Sequence, residues 1–426
     1  MGVILLAFMY LLQVPSPLRL NTDSVVLLSI GASVADGHGF LYHGEATHFP
    51  PGYPAMVAFL NVLGVASSWS FILLNCAFVG VSLIASYIFY RNPLHLSPSL
   101  SIGLCCIVML SFVLVKHMTL PLTDVVFLGL FTLALLLTTL VRDGAGRMSW
   151  IWLCLAVLVT VVTIAVRTAG VALLPAFAWV LGAPLLPRLE KLWKKHPILL
   201  WSSLCSLAIF GLSCGFLICK TRYFGEMKTL YFQDGLCGRL LKNLVAHNME
   251  MGEIGFNVPF AKASPLMKPA YYLVGILMIA LILRGIWLRR RSFGVLEVTL
   301  LAYGGLIFAW PYLDARFWLP ALPLIAGFIA IALIDAGKLR CFKFVAVAMC
   351  VWFSIAGLAA IAYSTRISWA GTRRFADVYG DGNLSPTYRS AFLGQTNVLE
   401  NSEALLLLRR YDSRAEKASS HGGIIK

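Results

Sequence analysis

Four ionisable side chains, Asp124, Arg167, Asp314 and Arg316, stand at the ends of long apolar runs, and a fifth, Asp23, opens a segment with helical spacing of apolar residues. A carboxylate at such a boundary can accept and return a proton, and a guanidinium can grip an anion through two parallel N–H donors. Each of them, taken singly, also reads as an interfacial anchor that keeps its stem in lipid and its head in water. Ionisable groups at or within membrane segments are penalised by the bilayer and are functional candidates for that reason. Gathered on one side, beneath a long polar loop, they favour a common site.

The elements that must position them are membrane spans. Of 426 residues, 59% are hydrophobic and only 12% charged, and the mean hydropathy is +0.82. Apolar runs near the ~20 residues needed to cross a hydrocarbon core fall at about 69–90, 99–115, 122–141, 150–166, 169–186, 198–219, 271–288, 295–313, 317–335 and 342–363. The stretch 53–66 is the first limb of a bent span or a re-entrant piece. The short run Gly2–Val14 has no basic flank, and Pro15 and Pro17 close it, so it reads as a first helix rather than a cleaved leader. The expectation is an all-α polytopic protein of about eleven spans.

Alternate loops set the orientation. Arg91; Arg142 and Arg147; Arg188, Lys191, Lys194 and Lys195; Arg289–Arg291; and Lys338, Arg340 and Lys343 form one basic set. By the positive-inside bias these loops are cytoplasmic. Loops 15–52 and 220–270, and a short tail over 364–426, are then external to a membrane domain spanning 1–363. The formal net charge of +15 is accounted for by the same short loops, and no nucleic-acid motif is present. Ten cysteines include no Cys-x-x-Cys pair and mostly sit in apolar runs, so no disulfide framework is expected.

The most informative segment runs from Asn21 to Pro54. Asn21, Thr22 or Asp23 can cap a helix whose apolar positions include Val26, Ile30 and Val34. Asp36-Gly-His-Gly ends that interfacial helix, and Phe49-Pro-Pro-Gly-Tyr-Pro54 returns the chain to the membrane. Here the sequence resembles the first external loop of GT-C membrane glycosyltransferases, including the protein mannosyltransferase-like and aminoarabinose transferase-like families. Leu122-Thr-Asp-Val-Val-Phe-Leu, Val166-Arg-Thr-Ala-Gly and Ala315-Arg-Phe-Trp-Leu-Pro-Ala-Leu-Pro resemble later motifs of the same group, in the same order, across about residues 1–335. Where relatives often carry an acidic pair, Asp23 is followed by Ser24, and the tail after Tyr363 matches no domain.

The resemblance implies transfer of a sugar from a polyprenyl-phosphate donor to a glycan, lipid or protein acceptor outside the cytoplasm, in a bacterial inner membrane. In that reaction Asp23 would be the base that deprotonates the acceptor, with Asp124 as the second catalytic carboxylate. Arg316 and Arg167, then Lys220 and Arg222, would hold the donor phosphate; Lys116 reads better as an anchor. His48, Tyr53 and Glu45 are acceptor or loop candidates, and loop 220–270, with Tyr231, Phe232, Asn243 and Asn248, is a candidate lid. No cofactor is required. A divalent metal on Asp23, Asp124 and a histidine is conceivable, although His38, His43, His48 and His117 do not have metal-motif spacing. The competing class is a transporter or flippase of lipid-linked sugars, which would call for midplane charges and an internal repeat that the sequence does not display.

Overall fold

In the computed structural model of the chain, residues 2–47, 49–143, 147–182, 222–337, 340–373 and 398–412 are described; the expected span 198–219, Lys220 and His48 fall outside them. The described residues are mostly helical, and the strands among them form a two-rung hairpin that pairs Leu41–Tyr42 with Glu45–Ala46. In chain order the helices are α1 (Gly2–Leu11), α2 (Thr22–Ala35), α3 (Gly52–Val62), α4 (Ser68–Arg91), α5 (Pro98–Met109), α6 (Phe112–Met118), α7 (Thr123–Asp143), α8 (Arg147–Val166) and α9 (Leu174–Gly182). Beyond residue 221 come α10 (Arg222–Asp234), α11 (Leu236–Phe256), α12 (Lys268–Leu288), α13 (Val295–Phe308), α14 (Leu322–Ala336), α15 (Arg340–Arg373) and α16 (Val398–Tyr411).

Among the described residues five helical stretches are long and apolar enough to cross a membrane: 68–91, 123–141, 265–288, 315–336 and 346–369. The pair α5–α6 makes a sixth, bent by 56°. Shorter apolar helices, among them α1, α3, α9 and α13, fill out the bundle. Within the long spans α7 is the most buried and α15 the least, so α7 forms the axis on which α4, α8 and the Asp314–Ala321 turn pack.

The first polar segment folds for local reasons. Asn21, extended at φ −130°, accepts the Ser24 N–H while Ser24 returns a bond to the Asn21 N–H, a reciprocal cap. Asp23 is therefore in the first turn and is not the cap. The buried side of α2 is Val25, Leu28 and Ala32 with Leu27 and Gly31, while Val26 and Val34 are only half-buried. The helix is covered on more than one side, so a single stripe at Val26, Ile30 and Val34 understates its burial. Gly31 lets α3 cross closely, since a Cβ there would lie 2.5 Å from a Val57 methyl. Gly52 of the Pro-Pro-Gly return packs on the end of α8, where a Cβ would lie 2.7 Å from the Ala165 backbone. The first segment is thus fitted against the residues that lead into Arg167.

The expected loop 220–270 is mostly the helix pair α10–α11, and α11 lies along α12 at backbone contact through Gly252 and Gly275. Asn257 ends α11 in the left-handed region at φ 58°, a conformation Asn tolerates. Its amide stitches the α5–α6 break: Oδ1 accepts the Phe112 N–H at 2.6 Å, and Nδ2 donates to the Leu110 and Phe353 carbonyls at 2.8 and 2.9 Å. Backbone groups freed by a break in a span need such partners. Helix α15 runs on through residue 364, where the tail was expected to begin, and α16 packs on α2.

Candidate active site

Four side chains from four parts of the sequence meet at one end of the bundle. Asp23 comes from the first turn of α2, Asp124 from the first turn of α7, Arg167 from the extended residue after α8, and Arg316 from the turn before α14. That turn exists because Asp314, extended at φ −164°, accepts the Arg316 N–H at 3.0 Å and starts a 3-10 stretch over Ala315–Ala321. The basic ends of α4, α7 and α12, at Arg91, Arg142 and Arg289–Arg291, lie at the far ends of their helices from this cluster.

Arg316 is the hub. Its Nη2 donates to Asp23 Oδ2 at 2.6 Å, its Nη1 lies 3.9 Å from Asp124 Oδ2, and its Nε lies 3.3 Å from Asp314 Oδ2. Asp124 Oδ1 accepts from Arg167 Nη1. Both guanidiniums lie over the Phe317 ring, at 5.0 Å for Arg167 and 5.4 Å for Arg316. Phe317 is held in turn by Tyr303, whose hydroxyl donates to its carbonyl at 2.5 Å. A connected network with two cations and three anions keeps every buried charge paired, as a low-dielectric boundary demands.

The two leading carboxylates differ in environment. The Asp124 side chain is 2% exposed, with one oxygen on Arg167 and the other facing Arg316. The Asp23 side chain is 40% exposed, and Oδ1 has no hydrogen-bond partner among the described residues. Asp23 can therefore exchange a proton with something outside the protein, whereas Asp124 anchors guanidiniums.

The remaining candidates are scattered. Tyr53 is buried at the start of α3, within electrostatic reach of Asp124. Glu45 is exposed on the hairpin, whose Tyr42 and His43 face Glu403 of α16 instead of the cluster. Arg222 opens α10, but its side chain, like Lys220 and His48, lies outside the described part. Lys116 is exposed at the end of α6 and has no carboxylate partner among the described residues. Among the described residues, which leave out His48, no group of three ligand side chains is close enough to hold a metal.

The sequence reading gave the polar shell around the cluster no role, naming only His117 among possible metal ligands and Asn243 in the candidate lid. His117 is buried with Nδ1 donating to the Val113 carbonyl at 2.7 Å, within electrostatic reach of Asp124 and Asp314. Glu253 on α11 accepts the Phe260 N–H at 2.6 Å, and burial pushes its carboxyl above the usual range, with Asp314 and Glu250 adding to the rise. The legible signal was spacing: Arg239, Asn243, His247 and Glu250 recur every three or four residues and form one polar stripe on α11.

No family model matches the chain, and no curated protein matches its sequence. The crystal structure of ArnT from Cupriavidus metallidurans bound to undecaprenyl phosphate matches over 99% of this chain and 87% of its own, with a TM-score of 0.51 and 12% identity. This chain has the GT-C glycosyltransferase fold. A second GT-C structure, the Archaeoglobus fulgidus oligosaccharyltransferase in complex with Zn and sulfate, matches with a TM-score of 0.50 and 13% identity, over 86% of this chain. This chain spans only 53% of the oligosaccharyltransferase. At such identities the fold is what is shared, and it agrees with the one expected from the four ordered motifs.

Proposed function

We propose that this chain is a glycosyltransferase that moves a sugar from a polyprenyl-phosphate donor to an acceptor on the non-cytoplasmic side of the membrane. The observation that carries the reading is the Asp23–Arg316–Asp124–Arg167 chain: an open carboxylate bonded to a guanidinium, which a buried carboxylate and a second guanidinium brace. Asp23 takes the proton of the acceptor hydroxyl as its oxygen attacks the anomeric carbon. The bond from that carbon to the phosphate oxygen breaks, and the electron pair leaves with the phosphate. Arg316 and Arg167 stabilise the charge that develops there, an electrostatic task for fixed donors in a water-poor boundary. That ArnT was crystallised with undecaprenyl phosphate supports this class of carrier for the present fold. The positive-inside distribution of the basic loops supports an external site.

The test is transfer of labelled sugar from a panel of polyprenyl-phosphate sugars in purified membranes, comparing the wild type with Asp23→Asn. Transfer by the wild type and loss of at least about a hundredfold in the variant, the lower end for removing a general base, with unchanged expression, is the expected result. Full activity in Asp23→Asn removes the base role. No transfer from any donor by folded wild-type protein points instead to the movement of lipid-linked sugars.

A further inference from the structure

Three consecutive backbone carbonyls at the end of α13 are each held by a side chain from the α10–α11 pair. Tyr231 donates its hydroxyl to the Ala309 carbonyl, His247 Nε2 to Trp310 at 2.8 Å, and Arg239 Nη2 to Pro311 at 2.7 Å. Carbonyls at a helix C-terminus lack intrahelical partners and accept such caps. Beyond the Asp314–Arg316 turn the same helix pair takes hold again: Trp318 Nε1 donates to Glu250 Oε2 at 3.0 Å. The turn that carries Arg316 is therefore gripped on both sides by residues of α10–α11 that do not belong to the Asp23 cluster.

His247 and Glu250 are the centre of this grip, 0% and 1% exposed, with Nδ1 and Oε2 2.7 Å apart. The Trp310 carbonyl can only accept, so Nε2 of His247 carries a proton. A second proton must then lie between Nδ1 and Oε2, since two bare acceptors would otherwise face each other in a buried site. That proton gives either an imidazolium with a carboxylate or a neutral imidazole with a carboxylic acid. The pair has no net charge in either form. Losing it would leave a buried anion on a carboxyl whose Oε1 has no hydrogen-bond partner among the described residues, an expensive arrangement. Other charged groups near the pair are Arg239 and Glu253 on α11 and Asp314 and Arg316 on the gripped turn; the nearby carboxylates oppose a further negative charge.

We propose that His247 and Glu250, sharing one captive proton, are positioning residues that hold the Arg316 turn in its phosphate-binding geometry. The assignment rests on the proposed use of a polyprenyl-phosphate carrier. Neither side chain touches the carrier, and their effect passes through the Trp310 carbonyl and the Trp318 indole.

The test uses the full chain in nanodiscs, with undecaprenyl phosphate as the probe for binding and imidazole-labelled histidine for NMR, the His247 signal being assigned by its loss in His247→Gln. A proton shared by His247 Nδ1 and Glu250 Oε2 should give a far-downfield hydrogen-bonded resonance that Glu250→Ala abolishes. Glu250→Ala should weaken binding of the probe by about tenfold or more, and Glu250→Gln, whose amide atom at the Oε2 position can serve Nδ1 or the Trp318 N–H but not both, should recover only part of that loss. A folded wild type without that resonance overturns the captive proton. Wild-type affinity in folded Glu250→Ala overturns the positioning role, and so does a Glu250→Gln protein that binds no better than Glu250→Ala. A wild type that does not bind the probe, while Asp23→Asn still loses transfer, overturns the link to carrier binding and leaves the glycosyltransferase reading standing.

Discussion

Arg316 faces Asp23, Asp124 and Asp314 while Arg167 is committed to Asp124. Two guanidiniums against three carboxylates leave the cluster with a residual negative charge, a poor seat for a phosphate unless another cation joins it. Lys116, exposed on the last turn of α6 next to His117, is the candidate for that cation. Lys116→Gln should weaken binding of undecaprenyl phosphate by about tenfold, as loss of one charge-assisted contact would; an unchanged affinity in a nanodisc titration returns Lys116 to the role of an interfacial anchor. The two aspartates should separate by stability as well. Asp124→Ala leaves two guanidiniums short of a buried partner and should cost about 3 kcal/mol, whereas Asp23→Ala, at a half-open pair, should cost no more than about 1 kcal/mol. Thermal unfolding in detergent measures both, and equal losses would mean that Asp124 is not the brace. Asp23, Asp124, Arg167 and Arg316 were legible one by one because charges are rare at span ends. A common site was legible from their shared side, but the pairing around Arg316 and the stacking of both guanidiniums on Phe317 were not, since nothing local joins positions 23, 124, 167 and 316.

Helix α16 packs on the helix that carries Asp23. It lies against α2, where Glu403 accepts from Ser29 at 2.6 Å and Tyr42 at 3.0 Å, while Arg410 forks onto both oxygens of Asp36 at 2.8 and 2.9 Å. Tyr411 is buried edge-on to Phe71 and accepts from Asn61 at 3.0 Å. The Arg410 hydrogen bond holds the Asp36 carboxyl below its usual range. A carboxylate whose pKa is depressed on docking adds stability above its free pKa and gives it up as pH falls through the docked value. The exposed fork contributes no more than about 1 kcal/mol, so acidification should loosen α16 modestly. Glu403→Ala should loosen it more, as faster hydrogen exchange over residues 403–412. Exchange that ignores both changes would mean that apolar burial of Ala404, Leu407 and Leu408 alone secures the helix. The limits of α2 were readable from Asn21 and the Asp36-Gly turn. The docking of α16 was not, because its apolar stripe resembles any amphipathic helix until the α2–α3 surface is formed. For the same reason α11 looked like loop: its polar residues face inward to a backbone segment 60 or so positions away, as the His247–Trp310 separation of 63 shows.

At the scale of the molecule, hydropathy located most of the helices, and it failed where a span is interrupted. The run 99–115 reads as one helix but breaks at Leu110–Ser111, since no residue there announces a bend that a distant Asn257 makes tolerable. The long axis α7 and the little-buried α15 both read as apolar spans in sequence, and packing is what sets them apart. Orientation is testable at Cys237, exposed at the start of α11 on the side of the cluster. A membrane-impermeant maleimide should label it in intact spheroplasts at the rate seen after permeabilisation. Labelling only after permeabilisation would invert the topology.

The Asn257 stitch also sets an order of assembly. Phe112 and Leu110 leave the ribosome about 145 residues before the amide that satisfies them, as the separation of the bonded pair shows. At synthesis rates of about 5–20 residues per second, that is a wait of roughly 7–30 seconds. Through that interval the broken helix sits in the membrane with open backbone groups, needing a temporary partner in the insertion machinery or in water. The first half of this protein is therefore a client of whatever shields it until the second half arrives.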